Sequence, residues 1–284
     1  MLTRIVKEPS FTGIAAGSIA SARAFTRGNI VNFYLNMLTG AGVGLTRAQI
    51  IADVSNVVMK VNGIELISVD VTFLLDRQLY MTSSQGGAFN NGIVPIPMQL
   101  LHLPTAEQRM LPALGTADVN TISFEVTVIG VAQLATIELF TEVDNNPAEV
   151  VGQHIRIQRF TRAFAGTGLQ EVSDLPYSDS NVLGILAMHI RHTVGGSVAS
   201  QITVKRNGLT VVDKLTPGLN AVLLAEGKRA QQATYDTVDF GRHNSLQALL
   251  PMKDTTSLIL EINWTVGAPT TYQIFMERVF KTLA

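Results

Sequence analysis

Residues 58–67 read "VMKVNGIELI" and residues 202–212 read "ITVKRNGLTVV". In each, an Asn-Gly pair (Asn62-Gly63, Asn207-Gly208) separates two runs rich in β-branched residues. Asn and Gly both accept the positive φ that a tight two-residue turn needs, so each stretch predicts an antiparallel hairpin. The turns lie 207 − 62 = 145 residues apart in a chain of 284. That spacing is half the chain, and the neighbouring sequence shows that it is not accidental.

After each hairpin comes a short helical pattern. "SVDVTFLLDRQLY" (68–80) has Val71, Leu75 and Leu79 at four-residue spacing, and in "TPGLNAVLLAEG" (216–227) Thr216 caps, Pro217 opens and Gly227 closes. "QRMLP" (108–112) is echoed by "QALLP" (247–251), a shift of 247 − 108 = 139. Strand runs "ISFEVTVIG" (122–130) and "LILEINWTVG" (258–267) follow, and "ELFTEV" (138–143) resembles "QIFMERV" (273–279), with Phe140 and Phe275 a further 135 apart. "FTR" at 25–27 returns at 160–162, again a shift of 135. A period this long exceeds that of solenoid or propeller repeats, so the duplicated unit is a whole domain.

Each half holds about eight short strand candidates and one or two short helices, among them "GLTRAQIIADV" (44–54), where Thr46 and Gln49 have capping-box spacing. Long helices between strands, which a parallel α/β sheet needs, are missing. The pattern predicts an all-β chain of two tandem eight-stranded antiparallel jelly rolls with a few short helices. Residues 1–22, rich in Ala, Gly, Ser and Ile without a sustained period, read as an N-terminal arm, 23–144 as the first jelly roll and 145–284 as the second. "TEVDNNPAEVVGQ" (141–153) is the joint.

Charged residues are only 15% against a usual quarter, while hydrophobic residues reach 46%, which points to surface buried in an assembly. A net charge of −1 gives no field that would draw the molecule onto nucleic acid. The absence of cysteine removes disulfides and thiolate chemistry. "MLTRIVKEPSF" (1–11) lacks the unbroken apolar core of a signal peptide, and the uncharged stretch between Arg27 and Arg47 is too polar to span a membrane. Arg4, Lys7, Arg23 and Arg27 against Glu8 give the first 28 residues a balance of 4 − 1 = +3, suited to anionic headgroups or a neighbouring subunit.

The residue patterns that could carry catalysis are each incomplete. Gly40 and Gly42 in "TGAGVGLTR" lack a third glycine at Leu45 and a following Lys-Ser or Lys-Thr, so the stretch reads as a turn before a helix. His189 and His192 are three apart, helical metal-ligand spacing, but their β-type context turns them to opposite faces of a strand. His102, His154 and His243 are scattered; there is no His-x-His and no Gly-x-Ser-x-Gly. Asp174 with Asp179, or Glu142 with Asp144, remain as carboxylate pairs, and the acidic joint lacks the spacing and glycine of an EF-hand loop. The single tryptophan, Trp264, falls in a strand where core packing is expected rather than a sugar platform. The expectation is a protein without catalytic site, metal or cofactor.

Three segments, "EQRMLPALGTADVNTISFEV" (107–126), "QRFTRAFAGTGLQEVSDLP" (158–176) and "GILAMHI" (184–190), together with "VKRNGLTVVDKL" (204–215), resemble the major capsid proteins of corticoviruses, icosahedral bacteriophages with a membrane inside the shell. The resemblance runs from about Thr46 to the C-terminus. It implies two jelly rolls per chain and homotrimers, whose 3 × 2 = 6 similar units make a pseudo-hexagonal tile. It further implies neighbouring capsomers, vertex proteins and the viral membrane as partners, no sequence-specific nucleic-acid binding, and residence in the virion after assembly in the host bacterial cytoplasm. The alternative left open by the residues is a two-domain β-sandwich that binds or hydrolyses carbohydrate.

Overall fold

Both Asn-Gly pairs form tight turns, with φ of +48° and +82° at Asn62 and Gly63, and +51° and +75° at Asn207 and Gly208. They are seen in a computed structural model that describes residues 3–82, 91–99, 113–144, 146–163, 166–177, 179–192, 198–232, 234–243, 248–266 and 271–283. The chain divides into unit 1, Met1–Ile157 with Lys281–Ala284, and unit 2, Gln158–Phe280.

Unit 1 begins with β1 (Thr3–Lys7), β2 (Ile19–Ala24), β3 (Asn29–Leu38), α1 (Arg47–Asp53), β4 (Val54–Val61) and β5 (Ile64–Asp70). It continues with α2 (Val71–Thr82), β6 (Ile93–Pro97), β7 (Leu114–Gly115), β8 (Ile122–Val128) and β9 (Thr136–Asp144). One layer runs β1-β9-β3-β6, with β7 beside β3, and the other β5-β4-β8-β2. Strands distant in sequence therefore alternate as neighbours, which is the jelly-roll winding. Period-2 patterning drives it: β8 and β9 bury every second residue, and Phe33 of β3 meets Phe124 of β8 edge-on at 4.9 Å between the layers. α1 carries the expected capping box, with Gln49 N donating to Thr46 Oγ1 and Thr46 N to Gln49 Oε1. α2 starts where Asp70 Oδ1 accepts from Phe73 N at 2.8 Å.

β10 (His154–Ala163) begins in unit 1 and continues into unit 2. Unit 2 then holds β11 (Gly168–Val172), β12 (Val182–His192), β13 (Val198–Arg206), β14 (Leu209–Leu215) and α3 (Pro217–Glu226). β15 (Tyr235–Asp239), β16 (Leu250–Pro251), β17 (Leu258–Val266) and β18 (Thr271–Phe280) complete it. Its layers run β15-β12-β18-β10, with β16 beside β12, and β11-β17-β13-β14. Adding nine to each strand number of unit 1 reproduces this order, so the duplication is visible strand by strand. The core closes on Trp264, which is buried 5.3 Å from Tyr272 and packs with Met188, Ile190, Ile262 and Ile274. Burial of each such side chain contributes about 1.5–3 kcal/mol.

The strand match also corrects one mark of the repeat. Phe25–Arg27 follow β2, whereas Phe160–Arg162 lie in β10, the counterpart of β1. The tripeptides are therefore not equivalent, and their common shift is a coincidence; Asn62 and Asn207, like Phe140 and Phe275, are true counterparts. Gln108–Pro112 lie outside the described residues, as does Gln247 of the second motif.

The stretch read as an arm contributes two strands to the sheets. β1 pairs with β9 from Thr3↔Asp144 to Lys7↔Phe140, and β2 pairs with β8 from Ile19↔Thr127 to Ala24↔Ile122. Its sequence signal was weak for physical reasons: β1 is a terminal strand with little burial, and β2 turns only Ala20, Ala22 and Ala24 inward. The compact units divide at Ile157/Gln158, inside β10, while β9 closes the first copy of the strand order at Asp144 and β10 opens the second at His154.

Candidate assembly surfaces

The two hairpin asparagines do more than turn the chain. Asn62 Oδ1 accepts from Asn120 N (2.8 Å) and Thr121 N (3.1 Å), while its Nδ2 donates to the Asp118 carbonyl (3.2 Å). Asn207 Oδ1 accepts from Thr256 N (2.7 Å) and Ser257 N (3.2 Å), while its Nδ2 donates to the Asp254 carbonyl (2.9 Å). Each side chain thus staples its hairpin to the loop that leads into β8 or β17. Gly63 and Gly208 supply the second positive φ. The sequence marked these residues as turns; only the folded chain places the receiving loops beside them.

The four basic residues near the N-terminus separate into two kinds. Arg4 on β1 and Arg23 on β2 are exposed. Lys7 Nζ bonds Glu138 Oε1 at 2.5 Å, which holds the Glu138 carboxyl below its usual range. Arg27 pairs with the buried carboxylate of Glu8, whose other oxygen accepts from Phe25 N at 3.1 Å. Lys7 and Arg27 are therefore committed inside the chain.

On β9 and β18, Glu142 and Glu277 occupy equivalent places. Glu142 accepts from Asn32 Nδ2 (2.6 Å), Tyr34 Oη (2.8 Å) and Thr3 Oγ1 (3.1 Å). Burial, reinforced by that carboxylate, pushes the Tyr34 phenol pKa up. Glu277 instead meets His189 Nε2 at 2.9 Å, while His189 Nδ1 meets Thr237 Oγ1 at 3.0 Å; all three side chains are buried. His192 takes the other face, 3.7 Å from Asp236 and edge-on to Trp264. The strand thus separates the two histidines, as its period requires.

The carboxylate pairs are not shared sites. Asp174 binds Arg162 at 2.8 Å, and Asp179 accepts from Asn181 N at 2.9 Å. Asp144 accepts from Asn29 and Asn146 at the joint, apart from the Glu142 network. The "TGAG" stretch is a turn, closed by Gly42 N donating to the Thr39 carbonyl at 2.9 Å. Among the described residues no three His, Asp or Glu side chains converge as metal ligands, and no helix is long and apolar enough to cross a membrane. His102 and the His243 side chain lie outside the described residues.

His154 closes the joint. Its Nδ1 donates to the Gly152 carbonyl (3.1 Å), its Nε2 accepts from Arg156 Nε (3.1 Å), and Arg156 Nη2 reaches the Leu283 carbonyl (3.4 Å). Burial pushes this histidine down to about 4, with the Arg156 charge adding and the Gly152 bond opposing. Unit 1 also holds a cleft of about 160 Å³ between α2 and the outward side of β3 and β6, lined by Tyr34, Leu74, Met81, Pro95 and Pro97 among others. The constellation is one of staples, ladders and apolar surface, suited to holding shape and meeting other surfaces.

Two family profiles cover nearly the whole chain: the viral coat protein P2 N-terminal domain matches residues 5–144, and its C-terminal domain matches residues 155–281. The chain belongs to the viral coat protein P2 family. Among solved structures, the major capsid protein P2 of bacteriophage PM2 superimposes with a TM-score of 0.80 at 17% identity, covering 99% of this chain and 98% of that one. The major capsid protein of the Sulfolobus turreted icosahedral virus gives 0.69 at 9% identity, covering 100% and 97%. The PBCV-1 virus capsid gives 0.64 at 10% identity, covering 98% and 93%. These likenesses carry the fold, the double jelly roll, across sequences with little identity left. No curated protein sequence matches.

Proposed function

We propose that this coat protein is the major capsid protein of an icosahedral bacteriophage with an internal membrane, and that it self-assembles as trimers tiling the shell. The carrying observation is the strand-by-strand repeat of β1–β9 in β10–β18, in a chain of the coat protein P2 family. Three copies bring 3 × 2 = 6 jelly rolls of one design, so a trimer offers near-sixfold edges to its neighbours and one gene product fills most of a closed shell. The sparse charge, 15% of residues, supports side-to-side burial within and between such tiles.

In this reading the partners are two further copies, adjoining capsomers, vertex proteins and the membrane beneath, and the residence is the virion, reached by assembly in the host cytoplasm. Arg4 and Arg23, exposed, are the residues assigned to headgroups or an adjoining capsomer. The first jelly roll ends and the second begins within the joint that His154 closes. The test is quantitation of protein in purified particles together with imaging of the isolated protein. The expected result is this chain as the most abundant species and a hexagonal capsomer outline. A chain present in only a few copies per vertex would overturn the assignment to the main shell.

A further inference from the structure

The two copies of the fold differ in burial at one corner, formed by the strand after the Asn-Gly turn and the helix that follows it. In unit 1 that strand, β5, is buried on both faces at Leu66, Ile67 and Val69, and α2 is buried along Phe73, Leu74 and Leu75. In unit 2 the equivalent β14 leaves Leu209 73% and Val211 46% exposed, and α3 leaves Leu219 50% and Val222 56% exposed. The uncovered side of α3 runs Gly218, Leu219, Ala221, Val222 and Ala225, without a charge until Glu226. A solvent-facing helix ordinarily carries charged residues on that side. β14 is also the terminal strand of its layer, so among the described residues one row of its backbone N–H and C=O groups has no strand beside it. A terminal strand with apolar side chains is a template for association.

We propose that this corner of unit 2 is the surface by which one copy of the chain binds a second copy, and that it meets the β1 edge of the second copy's unit 1. The inference rests on the capsid reading above and names the partner surface within it. The duplication supplies the reason for the occupant. In unit 1 the edge of β5 has β10 beside it, and β10 is the counterpart of β1. β14, the counterpart of β5, has no strand in that place among the described residues, so the β1 of a second copy fits there as β10 fits beside β5.

β1 is the matching candidate because it is the terminal strand of the other kind of layer and leaves Ile5 66% exposed. A corner of unit 2 joined to an edge of unit 1 is a heterologous contact. Repeated head to tail it closes into a ring when the rotation allows, as a trimer requires.

The absence of cysteine makes the test direct. Copies carrying Val211→Cys are mixed, as dissociated protein, with copies carrying Ile5→Cys, reassembled and treated with a short bismaleimide. The expected product is a crosslinked pair containing one of each copy. Crosslinks confined to Val211→Cys with itself would mean a two-fold contact and would overturn the proposal. In parallel, Leu219→Asp with Val222→Asp is compared with Val43→Asp, an exposed apolar position outside the corner, by solution mass and circular dichroism.

The corner variant is expected to keep its β spectrum and lose at least about tenfold in trimer affinity, with Val43→Asp unchanged. A corner variant that stays trimeric to the lowest measurable concentration overturns the inference and leaves the capsid reading intact. A wild-type protein that is monomeric at every concentration sinks the capsid reading itself. Loss of binding to phosphatidylglycerol vesicles by a corner variant that remains trimeric would assign the corner to the membrane and overturn the proposal as well.

Discussion

Glu142 and Glu277 sit at the same place in two copies of one strand, yet their surroundings have diverged. Glu142 is half-buried and gathers three neutral donors, Thr3, Asn32 and Tyr34. Glu277 is fully buried and faces His189, itself braced by Thr237. The position keeps a carboxylate in both copies while its partners follow the degree of burial. A half-wet acid tolerates neutral donors and nearby water, whereas a dry one needs well-aligned partners, because an unsatisfied charge in low dielectric is costly. Duplication thus fixed the backbone, and burial decided the chemistry on each copy.

The most severe way to break this contrast is Glu277→Ala against Glu142→Ala. Removing one partner of a buried pair costs about 3 kcal/mol or more, whereas a half-exposed hydrogen-bonded group costs about 1 kcal/mol. Urea unfolding is expected to rank the two variants in that order. Equal losses would show that burial does not set the difference.

Acid separates the units next. His154, in unit 1, lies at about 4 when folded against an ordinary value of 6.5, so the folded state binds fewer protons than the unfolded chain between those values. Its contribution is present above pH 6.5 and is lost as pH falls through 4, up to about 3 kcal/mol. Asp236, in unit 2, is pushed by burial to about 6 from 3.8. The folded state binds more protons there, so acidification from pH 6 to 4 stabilises it by a similar order. His154→Gln is expected to flatten the acid loss and Asp236→Asn to steepen it, measured as the unfolding midpoint from pH 7 to 4.

The hairpins should instead behave alike. Asn62→Ala and Asn207→Ala each lose side-chain bonds and place alanine at positive φ, costing about 1–2 kcal/mol, while the glycine variants recover the backbone part. A difference above about 1 kcal/mol between the two sites would break their equivalence. Smallest of all is Lys7→Ala, whose exposed pair with Glu138 contributes below about 1 kcal/mol and less at high salt.

What the sequence disclosed was local and periodic. Asn-Gly turns, the Thr46 and Thr216 caps, and the alternation in "ISFEVTV" and "IELFTEV" each specify their element without distant help. The second positive φ at each turn and the split of His189 from His192 followed from the same rules. Hidden were features that depend on a neighbour. β1 reads as arm because its backbone partner is β9, more than a hundred residues away, and β2 conceals its inward face behind alanines. The Glu277–His189–Thr237 cluster joins three strands, and no spacing within one segment announces it. The Phe-Thr-Arg echo shows the reverse hazard: identity of residues without equivalence of place.

On the proposed function a single chain leaves its assembly surfaces exposed and a trimer buries them. Light scattering after size exclusion tests it most directly. The expected result is a species near 3 × 30.6 = 91.8 kDa that persists on dilution. A single species at 30.6 kDa across the accessible concentrations would contradict it.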